Sequence, residues 1–324
     1  MGKSLFIAMK LVVVLLWSTL AFAQTYPARP IRVVLPQAPG AGIDLVLRRM
    51  SEDLQSRLGQ PLLVENRPGG NSVPGADACA KAAPDGHTVC ALNVDALALN
   101  SFLFAKLPYD PTRDFRSISS LFTILGGVLV RGGLPVNNIK ELQAMAVAKP
   151  GALNVGTLGP NSINDVSRQW LADHWKTNLA SIPYKGGPPI LAALAAGEID
   201  MTYQGVYVAL GLAKVGKVKV LAVSGTRRLV QFPDAPTLLE IGANDLPSAR
   251  AWWGVSTQST VPDAIVRRLN AEIVRLYKEP SFGEFLASQV TEGNAGTPEQ
   301  FDAIIANTRD RVGLLFKRYN IEKQ

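Results

Sequence analysis

The nine residues from Pro36 to Asp44, PQAPGAGID, constrain this chain more than any others. They follow an apolar run, Ile31 to Leu35, and precede a pattern in which Leu45, Leu47, Met50, Leu54 and Leu58 fall on one broad helical face. The order is strand, glycine loop, helix. Pro36 and Pro39 restrict φ, and Gly40 and Gly42 let the backbone approach a ligand, so the loop delivers the unpaired N–H groups of the next helix to one point. Such a point attracts anions, because aligned peptide dipoles leave roughly half a positive charge on the first helical turn. Without a ligand, the same residues make a tight strand-to-helix turn and nothing more.

Two chemistries compete for this loop. Gly40-Ala41-Gly42 supplies the first part of a dinucleotide fingerprint, and Glu65, 23 residues beyond Gly42, stands where a ribose-binding acid would sit. The third glycine is absent, its place taken by Leu45. A carboxylate site needs backbone donors but no third glycine. The start of the chain favours the carboxylate. Met1 to Ala23 reads as a secretory signal, with Lys3 and Lys10 leading, Leu11 to Leu16 unbroken in apolar character, and Ala21-Phe22-Ala23 as a cleavage site. An exported protein with its signal cleaved after Ala23 works where nucleotide cofactors are scarce, so no cofactor is expected.

No later stretch reaches the roughly 18 apolar residues of a spanning helix, so the mature protein is expected not to be embedded in a membrane. About 300 mature residues suggest two lobes or one large α/β domain. The formal charge is +7, with two of those charges in the leader, and basic residues occur only as pairs such as Arg227-Arg228. Nucleic acid is therefore not an expected partner. Cys79 lies in a helical pattern and Cys90 in the following strand. A bridge across this short loop and a buried reduced pair are both open, and neither fits zinc or C-x-x-C spacing.

Taken in order, strands at Ile31–Leu35, 61–65 and 87–92 each end in a polar or glycine-bearing turn before a helix. That pattern describes a parallel sheet with its crevice at the carboxyl ends, and it places Gly40, Asn71 and Asn93 along one rim. Two apolar stretches meet at Gly126-Gly127, a candidate crossing between lobes. A second strand-helix series follows, with a strand at 153–156, the loop Thr157 to Ser162, a helix at 190–196 and a strand at 199–203. Thr297-Pro298-Glu299-Gln300 opens the last helix as a capping box. The chain divides into lobe 1 (24–125 and 250–324) and lobe 2 (126–249), with a hinge near Gly126 and Arg250.

Several segments in fixed order carry a family resemblance over essentially the whole mature chain. They include Tyr26-Pro27-Ala28-Arg29-Pro30-Ile31, the loop at 39–44, Glu65-Asn66-Arg67-Pro68-Gly69 and Pro84-Asp85-Gly86-His87-Thr88. They continue through Leu107-Pro108-Tyr109-Asp110-Pro111, Pro183-Tyr184-Lys185-Gly186, Gly197-Glu198-Ile199-Asp200, Trp253-Gly254 and Thr297 to Phe301. The chain resembles the Bug (Bordetella uptake gene) proteins, periplasmic solute-binding components of tripartite tricarboxylate transporters. The resemblance implies an α/β, two-lobed periplasmic binding protein fold of type II. Each lobe would hold a mixed, mainly parallel sheet flanked by helices, with the ligand cleft between lobes.

The implied function is capture of a small organic acid, a mono- or dicarboxylate, by a monomer that passes it to the transporter's membrane components or, alternatively, presents it to a sensor receptor. By position, lobe 1 would bring Gln37, Ala38, Gly40, Ala41, Gly42 and Asp44, then Gly70, Asn71, Ser72 and Asn93. Lobe 2 would bring Thr157, Ser162, Tyr184, Gly186 and Gln204. Ile43, Asp165 and Gln204 depart from the residues frequent in the family and bear on which ligand is taken.

An exported hydrolase is the rival class. His87 and His174 form no H-E-x-x-H, and no G-x-S-x-G elbow occurs, so neither a catalytic residue nor a metal site is expected. His87 reads as structural, and Asp44 as a partner of the helix dipole and loop N–H groups before it is a ligand contact. Tyr184 and Lys185 form either an anion clamp or a cleft wall beside a solvated lysine. Trp252 and Trp253 are expected to be core and hinge-side packing.

Overall fold

The computed structural model describes residues 26–324 apart from 161, 244, 247–250 and 324. The leader read at 1–23 and the return segment around Arg250 lie outside the described residues.

The first strand, β1 (Ile31–Leu35), alternates Ile31, Val33 and Leu35 toward one hydrophobic cluster with Val34 toward another, so both its faces are buried. Helix α1 (Gly42–Leu58) lays Val46, Leu47, Met50 and Leu54 against the first cluster and ends at Gly59 in the left-handed conformation. Strand β2 (Leu62–Asn66), helix α2 (Val73–Ala80) and strand β3 (Thr88–Asn93) follow. Cys79 in α2 is joined to Cys90 in β3, with Cα atoms 5.9 Å apart. Closing so short a loop stabilises by about 3 kcal/mol in the chain-entropy treatment.

After β3 the chain makes a π-helical turn (Asp95–Leu99) that runs directly into α3 (Asn100–Leu103). Tyr109 pins this turn. Its hydroxyl donates to Ala96 O (3.0 Å) and accepts from Asn100 Nδ2, which also donates to Asn71 O (2.8 Å). Burial pushes the Tyr109 phenol up to about 12, against the opposing Asn100 bond.

Strand β4 (Phe115–Ile124) passes into β5 (Gly126–Arg131) through Leu125 alone. Then come α4 (Ile139–Ala148), capped by Asn138, and β6 (Asn154–Thr157). Helix α5 (Ile163–Trp175), β7 (Ala180–Pro183), α6 (Gly187–Ala196) and β8 (Met201–Gly205) follow. Strand β8 starts two residues later than the sequence pattern suggests. Asp200 ends the preceding turn instead, accepting from Arg131 Nε and Asn154 N, both at 2.9 Å. Helix α6 starts three residues earlier than expected, because Pro188 and Pro189 suit a first turn whose N–H groups need no partner.

A 3-10 turn (Val206–Ala209), α7 (Leu210–Lys214) and β9 (Val218–Val223) complete the series. The return brings β10 (Ala251–Gln258), α8 (Asp263–Tyr277), α9 (Pro280–Ser288), β11 (Thr291–Gly293) and α10 (Pro298–Arg318). Helix α10 opens with the expected capping box.

The strands form a six-stranded sheet, β11-β4-β10-β3-β1-β2, and a five-stranded sheet, β7-β6-β8-β5-β9. Among the strands named, parallel pairs are β2-β1-β3 in one sheet and β7-β6-β8 in the other, and Val223 at the end of β9 adds a single parallel bridge to Thr237. Where the chain crosses from β4 to β5, Gly126 N donates to Ser224 Oγ (2.8 Å) and Gly126 O accepts from Ser224 N (2.7 Å). A Cβ at Gly126 would stand 2.5 Å from Tyr203 Oη, so the crossing requires glycine for close approach. The far end of α10 also reaches the second sheet's side. Leu315 and Tyr319 pack on its core, and Arg318 pairs with Asp173 (3.1 Å).

Candidate functional site

A cavity of about 480 Å³ runs along the carboxyl-end rim of the six-stranded sheet. On one side it meets the first turn of α1 at Ala41, Gly42 and Ile43, with Gln37 beside them. Asn93, Val94 and Asp95 form its rim at the end of β3, and Phe122, Ile124, Trp252 and Trp253 its wall. On the far side stand Thr308, Arg311, Val312 and Leu315 of α10. Ile163, Tyr207 and Leu210 enter from the elements of the second sheet.

The loop before α1 is rigid for a reason visible in its bonds. Asp44 is 1% exposed and spends both carboxylate oxygens on its own surroundings. Its Oδ2 accepts from Gly40 N (2.9 Å) and Arg48 Nε (2.9 Å), and its Oδ1 from Arg48 Nη2 (3.1 Å) and Asn66 Nδ2 (3.0 Å). Asn66 Nδ2 donates also to Gln37 O (3.0 Å). Burial acts to raise the Asp44 pKa, but the bonds from Arg48, Gly40 and Asn66 outweigh it and hold the carboxyl below its ordinary 3.8.

A carboxylate with a depressed folded pKa contributes stability above its unfolded value and loses it as pH falls through the folded one. Asp44→Asn should therefore melt below the wild type at pH 7. The two melting curves should converge as pH drops below about 4, the range in which an unfolded aspartate protonates. A difference that stays constant down to pH 3 would show that the charge of Asp44 is not what holds the loop.

Because Gly40 N is taken by Asp44 and Ala41 N donates to Ala38 O (3.3 Å), the donors left for the cavity begin at Gly42. No side chain caps α1 at Ala41, so its first turn keeps unpaired N–H groups at the cavity edge. Asp95 accepts from Asn93 Nδ2 (2.9 Å), and Asn93 Oδ1 accepts from Ala96 N (3.1 Å). Burial pushes the Asp95 carboxyl up, against the Asn93 bond.

Of the residues expected from sequence, Gln37, Ala41, Gly42 and Asn93 line the cavity. Ala38, Gly40 and Asp44 stand behind it in the loop. Gly70, Asn71 and Ser72 form a 3-10 turn in which Asn71 (φ 49°) and Ser72 (φ 67°) are left-handed, tied to the cavity rim through Asn100. The second-lobe set gathers at the carboxyl ends of β6, β7 and β8, apart from the cavity wall. Thr157 is fully buried with its Oγ1 3.0 Å from Ser181 Oγ, and Ser162 caps α5 by accepting from Asp165 N. Tyr184 N donates to Thr157 O, Gly186 precedes α6, and Gln204 Nε2 is buried without a protein acceptor among the described residues. Lys185 is exposed. Asp165 is occupied by Arg168 (2.7 Å) and Gln169 (3.0 Å) of its own helix.

Trp252 and Trp253 are core residues, 2% and 5% exposed, but they also wall the cavity. The wall residues of α10 are absent from the sequence-derived set. Thr308, Arg311, Val312 and Leu315 share one helical face, but that spacing marks a face and not the cavity it borders. His87 is structural, its Nδ1 at 3.2 Å from Asp85 O and its ring edge-on to Tyr26. Among the described residues no cluster of three metal-ligating side chains occurs, and no helix is long and apolar enough to cross a membrane.

A UPF0065 protein of Bordetella pertussis is 28% identical over 315 residues, which is 97% of this chain and 96% of that one. Among solved structures, the periplasmic binding protein BugD is 27% identical with a TM-score of 0.76, covering 92% of this chain and 100% of its own. MatC from Rhodopseudomonas palustris, solved with bound malate, is 28% identical with a TM-score of 0.72, covering 90% of this chain and 99% of its own. The fold is thus the two-lobed α/β fold of periplasmic binding proteins. The model of the TctC family, described as the tripartite tricarboxylate transporter family receptor, matches residues 46–321, and so the chain belongs to this family of solute-binding receptors, which are not enzymes.

Proposed function

We propose that this protein captures a small organic acid in the cavity and delivers it to the membrane components of a tripartite tricarboxylate-type transporter. The observation that carries this reading is the uncapped first turn of the 17-residue helix α1, opening at Gly42 into a 480 Å³ cavity walled by the six-stranded sheet, by α10 and by Ile163, Tyr207 and Leu210 from the helical elements of the second lobe. Backbone donors and a helix terminus suit a carboxylate without a bound cation. The malate in MatC supports a carboxylate ligand for a chain 28% identical to it.

Gln37, Ala41, Gly42 and Asn93 would contact the ligand, and Thr157, Ser162, Tyr184, Gly186 and Gln204 would approach it from the facing rim. The buried amide nitrogen of Gln204, without a protein acceptor, supports that role. The mature chain would work as a periplasmic monomer after cleavage at Ala23, with lobes at 24–125 plus 250–324 and at 126–249. The bridge between Cys79 and Cys90 fits an oxidising compartment.

A thermal-shift screen of mono- and dicarboxylates on protein freed of co-purified ligand tests this. An acid at about 100 times its Kd should add about 2.7 kcal/mol and raise the melting temperature by several degrees. If neutral amides of the same acids raise it equally, or if no acid does, the carboxylate reading fails.

A further inference from the structure

The cavity has more room, and a different lining, than a four-carbon dicarboxylate needs. Its 480 Å³ falls in the roughly 300–1,000 Å³ range of pockets that enclose drug-sized ligands. The end near Gly42 and Asn93 is polar. The rest of its lining includes Leu99, Trp252 and Val312, with Ile163 packed against the cluster that holds them, and Leu315 and Leu210, beside the polar Thr308 and Arg311 of α10.

The charges in the wall are already accounted for. Among the described lining residues only Asp95 and Arg311 are charged. Arg311 faces the carboxylate of Asp245 at 3.6 Å. Asp95 is held by Asn93, and its burial favours the neutral form. In the apolar compartment an ionised ligand group would give up its hydration and would have to compete with Asp245 for Arg311.

Resting on the organic-acid reading, we infer that the ligand is a monocarboxylate with a bulky apolar body, an aryl or medium-chain acid. Its carboxylate lies at the Gly42 end, and its body fills the compartment between the C-terminal helix and the second lobe. Burial of that body gives binding a negative heat-capacity change, which a small polar diacid lacks.

Calorimetric titration of the ligand-freed mature protein with phenylacetate, octanoate, succinate, malate and phenylacetamide tests the assignment. Phenylacetate or octanoate should bind at least tenfold tighter than succinate and malate, with the more negative heat-capacity change. Leu315→Trp, which fills the compartment, should weaken the tighter of these two acids at least tenfold. The wild-type series decides the matter even where that variant fails to fold. Succinate or malate binding as tightly as the apolar acids would overturn the compartment while leaving the organic-acid reading intact. Phenylacetamide matching phenylacetate, or no acid binding at all, would remove both.

Discussion

Gly42→Leu should weaken acid binding at least tenfold while leaving the melting temperature of the ligand-free protein unchanged or slightly higher. Gly42 has ordinary helical geometry, and a Cβ built on it meets nothing within 4 Å, so a leucine there can be accommodated without displacing protein. Leucine is also the better helix former. What it would fill is the cavity, in front of the N–H groups at the start of α1. A tenfold loss is about 1.4 kcal/mol, less than the roughly 1.5–3 kcal/mol of one hydrogen bond to a charged group. Covering a single donor is therefore enough.

Gly40→Leu should behave in the opposite way. Its φ of 81° lies where side chains are strained, and its N–H serves Asp44, so the variant should lose stability by about 1–3 kcal/mol. Any loss of binding there should follow from the distorted loop. Calorimetry and thermal melts on both variants separate the two roles. Unaltered binding by a well-folded Gly42→Leu protein would show that the ligand does not approach this helix.

A large effect on stability is expected where Gly254 meets Phe301. A Cβ at this position would stand 2.1 Å from Cζ and 2.5 Å from Cε1 of Phe301, whose side chain is fully buried. Phe301 cannot retreat. The capping box fixes the start of α10 through Thr297 and Gln300, and the ring packs edge-on against Trp252 at 5.4 Å. Gly254→Ala should cost about 3 kcal/mol, the upper part of the usual range for overpacking a core. Phe301→Ala should cost about 3–5 kcal/mol by leaving a cavity.

Combining the two should cost less than their sum, since the alanine methyl then occupies space the ring has vacated. Denaturant melts of the four proteins give the coupling directly. Strict additivity would mean that the ring and the glycine do not share this space. The same contact joins Trp253-Gly254 to the segment from Thr297 to Phe301, more than 40 residues away in the chain. One is the slot and the other its occupant.

Much of this architecture is local and therefore written in short stretches of sequence. The alternation of Ile31, Val33 and Leu35 needs only the two-residue period of a strand, and the spacing of Leu47, Met50 and Leu54 only that of a helix. The capping box at Thr297 and the loop around Gly40 depend on residues within four positions of each other. These features, and the order of motifs along the chain, were enough to read the fold and family.

The tertiary structure alone decided which donors remain for a ligand. Gly40 and Gly42 look alike in sequence, yet Asp44 claims the N–H of one, and Asn66 and Arg48 hold Asp44 in place. It also settled that Cys79 meets Cys90. Above all, it brought Thr308, Arg311 and Leu315 from the last helix to face a loop some 270 residues earlier in the chain. A cavity wall has no local period of its own. It is whatever surface remains once buried faces elsewhere have fixed the helices and strands, and so its residues are legible only after the packing is known.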